Sequence, residues 1–404
     1  MTWLRRRLSL PEETPTAVVL AIAFYLCHLF CAGWVASSES FFAFALMAFL
    51  YAIYRKQIRL SFHILYFPLV LYAIASTISA LAATRAIHAF GENALWFKIA
   101  IFPMALILFR EVPRSRELAL RMLLVFGAFS ALYGLFQYFV LARRDLEHRI
   151  TGPAAHVMTL SGLLLAMALV YLVLWINDIR NLWLLAGTAI VTLTLLLTFT
   201  RSAWAGWVVA ATILLVSKRP RMLIFAAPAV VLFITFMPLP LFGRFVSSFD
   251  TRQSSNLDRI RMIQAGVEMI KDYPLLGVGP ANVKEVYPLY RKPDAPRFRI
   301  PHLHNNLVQL WAERGVLAIT AYLIFLGLFL RDCARTWNGP MSRFAQIGVA
   351  VAFGLAAAGL FEFNFGDTEV FWILLDVCAL VVAFTEQARP SNEPPLTGVP
   401  VNGP

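Results

Sequence analysis

The feature that most restricts this chain is the recurrence of apolar runs, one after another, separated by short basic loops. A helix needs about 20 apolar residues to cross the hydrocarbon of a bilayer, and most of the sequence consists of runs near that length. Only 14% of the residues are charged and 59% are hydrophobic, whereas a soluble domain carries about 25% charged residues. These values predict an all-α polytopic membrane protein. The first apolar run is too long for a secretory leader and has no small-residue cleavage site, so no cleaved leader is expected. The net charge of +12 then has an economical reading: Arg and Lys orient the helices and contact anionic headgroups. Membrane lipids are expected partners and nucleic acid is not.

The pattern divides into twelve transmembrane helices at about 16–36, 40–54, 61–83, 95–110, 117–141, 155–176, 181–200, 202–216, 221–241, 304–330, 343–363 and 369–386. Threaded alternately, they gather the basic loops on one side. Those loops carry Arg5–Arg7, Arg55 with Lys56, Arg110 with Arg114, Lys218 with Arg219, and Arg331 with Arg335. By the positive-inside rule that side is the cytoplasm. Both termini, 1–15 and 387–404, are then cytoplasmic, and the tail, rich in Pro, Asn and Gly, reads as disordered. The four cysteines suggest neither a disulfide framework nor a thiolate metal site.

The opposite, outer side holds the residues that look chemical. It carries the segment around Arg85 and His88, the loop Arg143–His156, the turn at Arg201, the long loop 242–303 and the turn Glu362–Glu369. The basic outer loop with Arg149 goes against the charge rule, and either an anionic ligand or headgroups account for it. Arg201 is a lone cation between two apolar spans. Such a charge needs a partner or a wet cavity, so an anion-binding role is expected. In the long loop, Leu257, Ile260, Ile263, Val267 and Ile270 recur at helical spacing and predict an amphipathic helix. Ser255 or Asn256 is its expected cap, and Asp272-Tyr273-Pro274 its expected end. Arg259 and Arg261 lie in its first turns, and Gly277-Val278-Gly279-Pro280 reads as a turn.

His304 stands where that loop meets the tenth span. A helix start presents free N–H groups and a positive dipole end, which suit an anion and oppose protonation of an imidazole. His304 is therefore the candidate base, with His302 its near competitor. Glu313 and Arg314 lie further along the same span, and Asp376 is a lone acid within the last one.

These residues resemble the bacterial O-antigen ligases and the wider O-antigen ligase/polymerase superfamily. The resemblance rests on His304-Asn305, nine residues, then Gly315, with Ala318 where glycine is commonest and Glu313 two before the glycine. It rests also on Arg259 followed by Asp272-Tyr273-Pro274-Leu275-Leu276-Gly277-Val278-Gly279, on Thr200-Arg201-Ser202-Ala203-Trp204, and more weakly on Arg149-Ile150-Thr151-Gly152. Ile263 departs from it, because tryptophan is frequent there. The resemblance implies a GT-C-like membrane glycosyltransferase in a Gram-negative inner membrane, with a large periplasmic loop and a periplasmic active site. Its donor would be O-antigen on undecaprenyl diphosphate and its acceptor a lipid A–core sugar hydroxyl. His304 is the expected general base. Arg201, Arg259 and Arg149 are expected on the diphosphate, with Asn305 and Asp367 as further substrate contacts. No cofactor and no metal are expected. An O-antigen polymerase or a protein O-oligosaccharyltransferase would share these motifs. A transporter of lipid-linked glycans would show internal repeats and midplane charges, and Asp376 alone points that way.

Overall fold

The computed structural model describes residues 2–83, 89, 94–143, 145, 147–225, 242, 243, 246 and 253–386. The expected ninth span lies almost wholly outside these residues. So do Arg85, His88, Arg144, most of the opening of the long loop, and the tail from 387.

Among the described residues every regular element is helical. A short α1 (Thr2–Leu8) precedes a hairpin of α2 (Thr16–Phe30) and α3 (Val35–Tyr54). Then come α4 (Tyr66–Ala82), α5 (Leu95–Ile99), α6 (Ile101–Glu111), α7 (Pro113–Phe139), α8 (Val157–Asn177), α9 (Leu182–Leu197) and α10 (Arg201–Lys218). After a 3-10 turn at Pro220–Phe225 and the undescribed stretch come α11 (Ser254–Asp272), α12 (Val283–Tyr290), α13 (Asn306–Arg335), α14 (Ser342–Ala358) and α15 (Thr368–Glu386). Five of these, α3, α7, α8, α13 and α15, are long and apolar enough to cross a membrane. The architecture is consistent with a polytopic membrane protein.

α8 and α15 are apolar all round and are buried on nearly every side, as expected of helices at the centre of a bundle. By contrast α3 turns Phe44, Met47, Leu50 and Tyr51 outward, the surface a bilayer would cover. The expected fourth span is two helices. Pro103 has no N–H to offer the carbonyl of Ile99, so the chain breaks at Ala100 and restarts as α6.

Asp376 is buried with both oxygens engaged. Tyr25 Oη donates to Oδ1 at 2.8 Å, and His28 Nε2 lies 3.3 Å from Oδ2. Ser38 Oγ lies 2.9 Å from the other nitrogen of His28. The acid thus ties α15 to the α2–α3 hairpin. A buried acid inside a bundle normally has such partners.

The long loop is structured by α11 and α12. The expected apolar stripe on α11 is displaced. Its buried face is Asp258, Met262, Ala265, Gly266 and Met269, while Ile260 and Val267 are 40% and 39% exposed. Gly266 lets α11 close onto Val308 and Leu303, and a small core forms there with Tyr287 and Ile300. Neither Ser255 nor Asn256 caps α11; both lie inside its first turn, and Gln253 holds the cap position without a side-chain bond. The end at Asp272 is where the sequence predicts it.

α13 is interrupted at Gly315, whose φ of 75° and ψ of −179° fall in a region essentially reserved for glycine. The interruption frees backbone groups, and the Pro274–Gly279 segment takes them. Val278 N–H donates to Ala312 O at 2.8 Å, and Gly279 N–H to Glu313 O at 2.9 Å. Val316 N–H donates to Pro274 O at 3.0 Å. The glycine-rich turn of the loop is therefore a splint on the broken helix. Arg314 Nε donates to Ser76 Oγ at 3.0 Å, and Ser79 Oγ to Glu313 O at 2.9 Å, so α4 holds the same break from its other side.

Candidate active site

His304 does not open α13. It stands one residue before the cap, with φ of 51°, an uncommon left-handed conformation that histidine tolerates better than most residues. Asn305 is the cap, and its Oδ1 accepts from Val308 N–H at 3.0 Å. Its Nδ2 donates to Leu360 O at 2.9 Å. The next residue repeats the pattern. Asn306 N–H donates to Gly359 O at 2.7 Å, its Nδ2 donates to Asn364 Oδ1 at 2.7 Å, and its Oδ1 accepts from Phe365 N–H at 3.2 Å. Two consecutive asparagines thus fasten the start of α13 to the turn between α14 and α15.

That turn delivers Glu362. His304 Nδ1 lies 2.9 Å from Oε1 of Glu362, and His302 Nε2 lies 3.7 Å from the same oxygen. Arg259 Nη2 approaches Oε2 at 3.7 Å. Burial pushes the Glu362 carboxyl up, but the hydrogen bond to His304, with His302 and Arg259 nearby, outweighs it and brings it below the ordinary value. Glu362 therefore remains ionised. Burial, then the neighbouring His304, pushes His302 down to about 4, so its imidazole is neutral near pH 7. Both ring nitrogens of His304 are buried; Nδ1 has the close approach to Glu362, and Nε2 has no hydrogen-bond partner among the described residues.

The three expected arginines converge. Arg149 and Arg201 both lie within electrostatic reach of Arg259. Burial is the largest influence on Arg259 and Arg149, and it lowers both. Each is positioned by its own local structure. Gln137 near the end of α7 accepts from Thr151 N–H at 2.9 Å and Gly152 N–H at 2.8 Å, which folds the Arg149 loop back over the bundle. Arg201 begins α10 and donates through Nη2 to Asn256 Oδ1 at 2.7 Å and Ser255 Oγ at 3.3 Å. The two residues expected to cap α11 instead join it to α10. Arg261 is turned away and pairs with Asp294, while Arg297 pairs with the buried Asp258.

Asp367 lies further along the same turn and accepts from Thr159 Oγ1 at 3.2 Å. Burial, then the Glu369 charge, pushes its carboxyl up to about 7. Asn305, expected as a substrate contact, is committed at both ends of its amide and fixes the backbone that follows His304.

His302, His304 and Glu362 each offer a ligand atom, all within 4.8 Å of one another, and this is the donor set available to a metal. Two imidazoles and one carboxylate are a plausible trio. However, Glu362 is already balanced by His304 and Arg259, and the guanidinium opposes a second cation there.

Residues 186–323 match the model of the O-antigen ligase family. The match supports membership of the O-antigen ligase/polymerase superfamily. Comparison with the curated proteins gives no match. Members of this superfamily are glycosyltransferase-like enzymes. The O-antigen ligase segment contains Arg201, Arg259, His302 and His304, and stops before Glu362 and Asp367. The sequence reading placed Glu362 at the edge of the Glu362–Glu369 turn but gave it no role. The signal available was an acidic outer turn, and there Asp367 and Glu369 drew the attention.

Proposed function

We propose that the protein is an O-antigen ligase. It transfers O-antigen from undecaprenyl diphosphate to a sugar hydroxyl of lipid A–core, at the periplasmic face of a Gram-negative inner membrane, with both termini cytoplasmic. The observation that carries the reading is the buried, unpartnered Nε2 of His304 beside an ionised Glu362 and three converging arginines. A buried polar nitrogen without a partner calls for a functional explanation, and an incoming hydroxyl supplies one.

The chemistry follows from the charges. With the Nδ1 proton of His304 turned to Glu362, its imidazole presents the Nε2 lone pair. That lone pair takes the proton of the acceptor hydroxyl as its oxygen attacks C1 of the donor sugar. The C1–O bond to phosphate breaks, and undecaprenyl diphosphate leaves with the electron pair. Arg149, Arg201 and Arg259 balance the charge that grows on it through charge-assisted hydrogen bonds. Glu362 stabilises the imidazolium that forms, as a buried carboxylate does for a base histidine. With one base and no carboxylate nucleophile in this scheme, the reaction is a single displacement with inversion. Arginines fill the electrostatic role a metal would take, so the reaction proceeds without one.

The test is transfer in vitro with purified protein, undecaprenyl-diphosphate-linked O-antigen and lipid A–core, in chelator. Glycan on lipid A–core, absent with His304→Ala, is the expected result. Longer glycan on the polyprenyl carrier instead would make the protein a polymerase, and transfer only with added divalent metal would overturn the metal-free scheme.

A further inference from the structure

A cavity of about 270 Å³ opens beside His302, between α4, α5, α13 and the turn before α15. Its lining differs in kind from the arginine side. Lys98 and Arg314 line it together with the carboxyl groups of Glu313 and Asp367, so two cations and two acids share it. Tyr72, Phe363 and Phe365 supply apolar faces. His302 belongs to the lining, its ring packs 4.2 Å from that of His304 and 5.8 Å from that of Phe363. His302 thus lines the cavity and also lies 3.7 Å from Glu362, so the cavity adjoins the group formed by His304, Glu362 and Arg259.

We infer that this cavity receives the acceptor sugar, so that the histidine pair joins a saccharide subsite to a diphosphate subsite. The inference rests on the glycosyl-transfer reading and assigns the two substrates to adjoining subsites. A diphosphate belongs with Arg149, Arg201 and Arg259, because paired charge is what holds it. A lining that mixes basic and acidic groups with aromatic faces suits an uncharged pyranose, with an apolar C–H face and a rim of hydroxyls. Asp367 and His302 are the groups placed to meet those hydroxyls, and Phe363 is the platform beside them.

The experiment measures binding, so it does not require turnover. Full-length protein in nanodiscs is titrated with lipid A–core and, separately, with undecaprenyl diphosphate lacking glycan. Phe363→Ala and Asp367→Asn are expected to weaken lipid A–core by roughly tenfold and to leave undecaprenyl diphosphate within about twofold. Arg259→Ala is expected to do the reverse, and Phe363→Tyr to restore acceptor binding. Cavity variants that weaken the diphosphate, or leave lipid A–core untouched, overturn the assignment. If wild-type protein binds undecaprenyl diphosphate but no lipid A–core, the ligase reading fails first. The same variants are then titrated with undecaprenyl-linked O-antigen. Selective weakening there keeps the cavity as a saccharide subsite for another acceptor, and no weakening removes it.

Discussion

Nδ1 of His304 and Oε1 of Glu362 lie 2.9 Å apart, although one precedes α13 and the other follows α14. Loss of the base should reduce transfer by about 10²–10⁴-fold, the usual value of general-base help. His304→Ala is expected in that range. Glu362→Gln keeps the shape and removes the charge, so kcat should fall while KM for both substrates holds. Steady-state kinetics of the two variants check this. A Glu362→Gln enzyme with unchanged kcat would reduce Glu362 to a packing role.

The Gln137 amide accepts two backbone N–H groups of the Arg149 loop. Gln137→Ala leaves both without their acceptor, at a cost of about 1–3 kcal/mol for each N–H that stays buried. The expected signature is a raised KM for the diphosphate donor with acceptor KM unchanged, together with a lower Tm. A lower Tm with normal donor KM would show that Arg149 does not depend on the clamp.

A methyl group at Gly315 would come within 1.9 Å of Leu275 O, and one at Gly277 within 2.3 Å of the Glu313 carbonyl carbon. The neighbours are backbone and cannot turn aside. Gly315→Ala adds strain of about 1–3 kcal/mol at a conformation that L-residues avoid, besides the clash. The prediction is a poorly accumulating protein with a reduced Tm; a variant that purifies and melts like wild type would contradict the splinted break.

Asp367 has its carboxyl raised from an ordinary 3.8 to about 7, chiefly by burial. A group harder to ionise when folded costs stability as pH rises from about 4 to 7, and its cost is constant above that. Asp367→Asn removes the cost and can still accept from Thr159. The variant should melt at a higher temperature than wild type at pH 8 and at the same temperature near pH 3.5. Melting curves at the two values decide it, and an equal difference at both would exclude the ionisation as the cause.

What the sequence made legible follows from periodicity and charge. Among the described residues the apolar runs marked most helices of the bundle, with ends shifted by up to about six residues, and the fourth run proved to be two helices. The arginines and His304 stood out because polar groups beside apolar spans need a reason. Long-range pairing was not legible. Nothing in Asn305-Asn306 states that both amides reach the turn after α14, and so Glu362 was not connected to His304. On α11, two apolar stripes compete, and the deciding factor is a glycine, Gly266, that lets the helix approach Val308. Ser255 and Asn256 have capping side chains, yet Arg201 from another helix claims them. Asp376 hinted at transport until Tyr25 and His28 were seen to engage it.

The break at Gly315 also sets how the site responds to its surroundings. Bilayers differ in thickness, and a spanning helix accommodates the difference by tilting. An unbroken α13 would carry that tilt straight to His304. Here the part up to Arg314 is tied to the Pro274–Gly279 segment and to α4, Val316 returns one bond to Pro274, and the part beyond packs Ala318, Tyr322, Phe325 and Phe329 into the core of the bundle. The joint lets one end of a single helix be set by the loop beside His304 and the other by the core of the bundle.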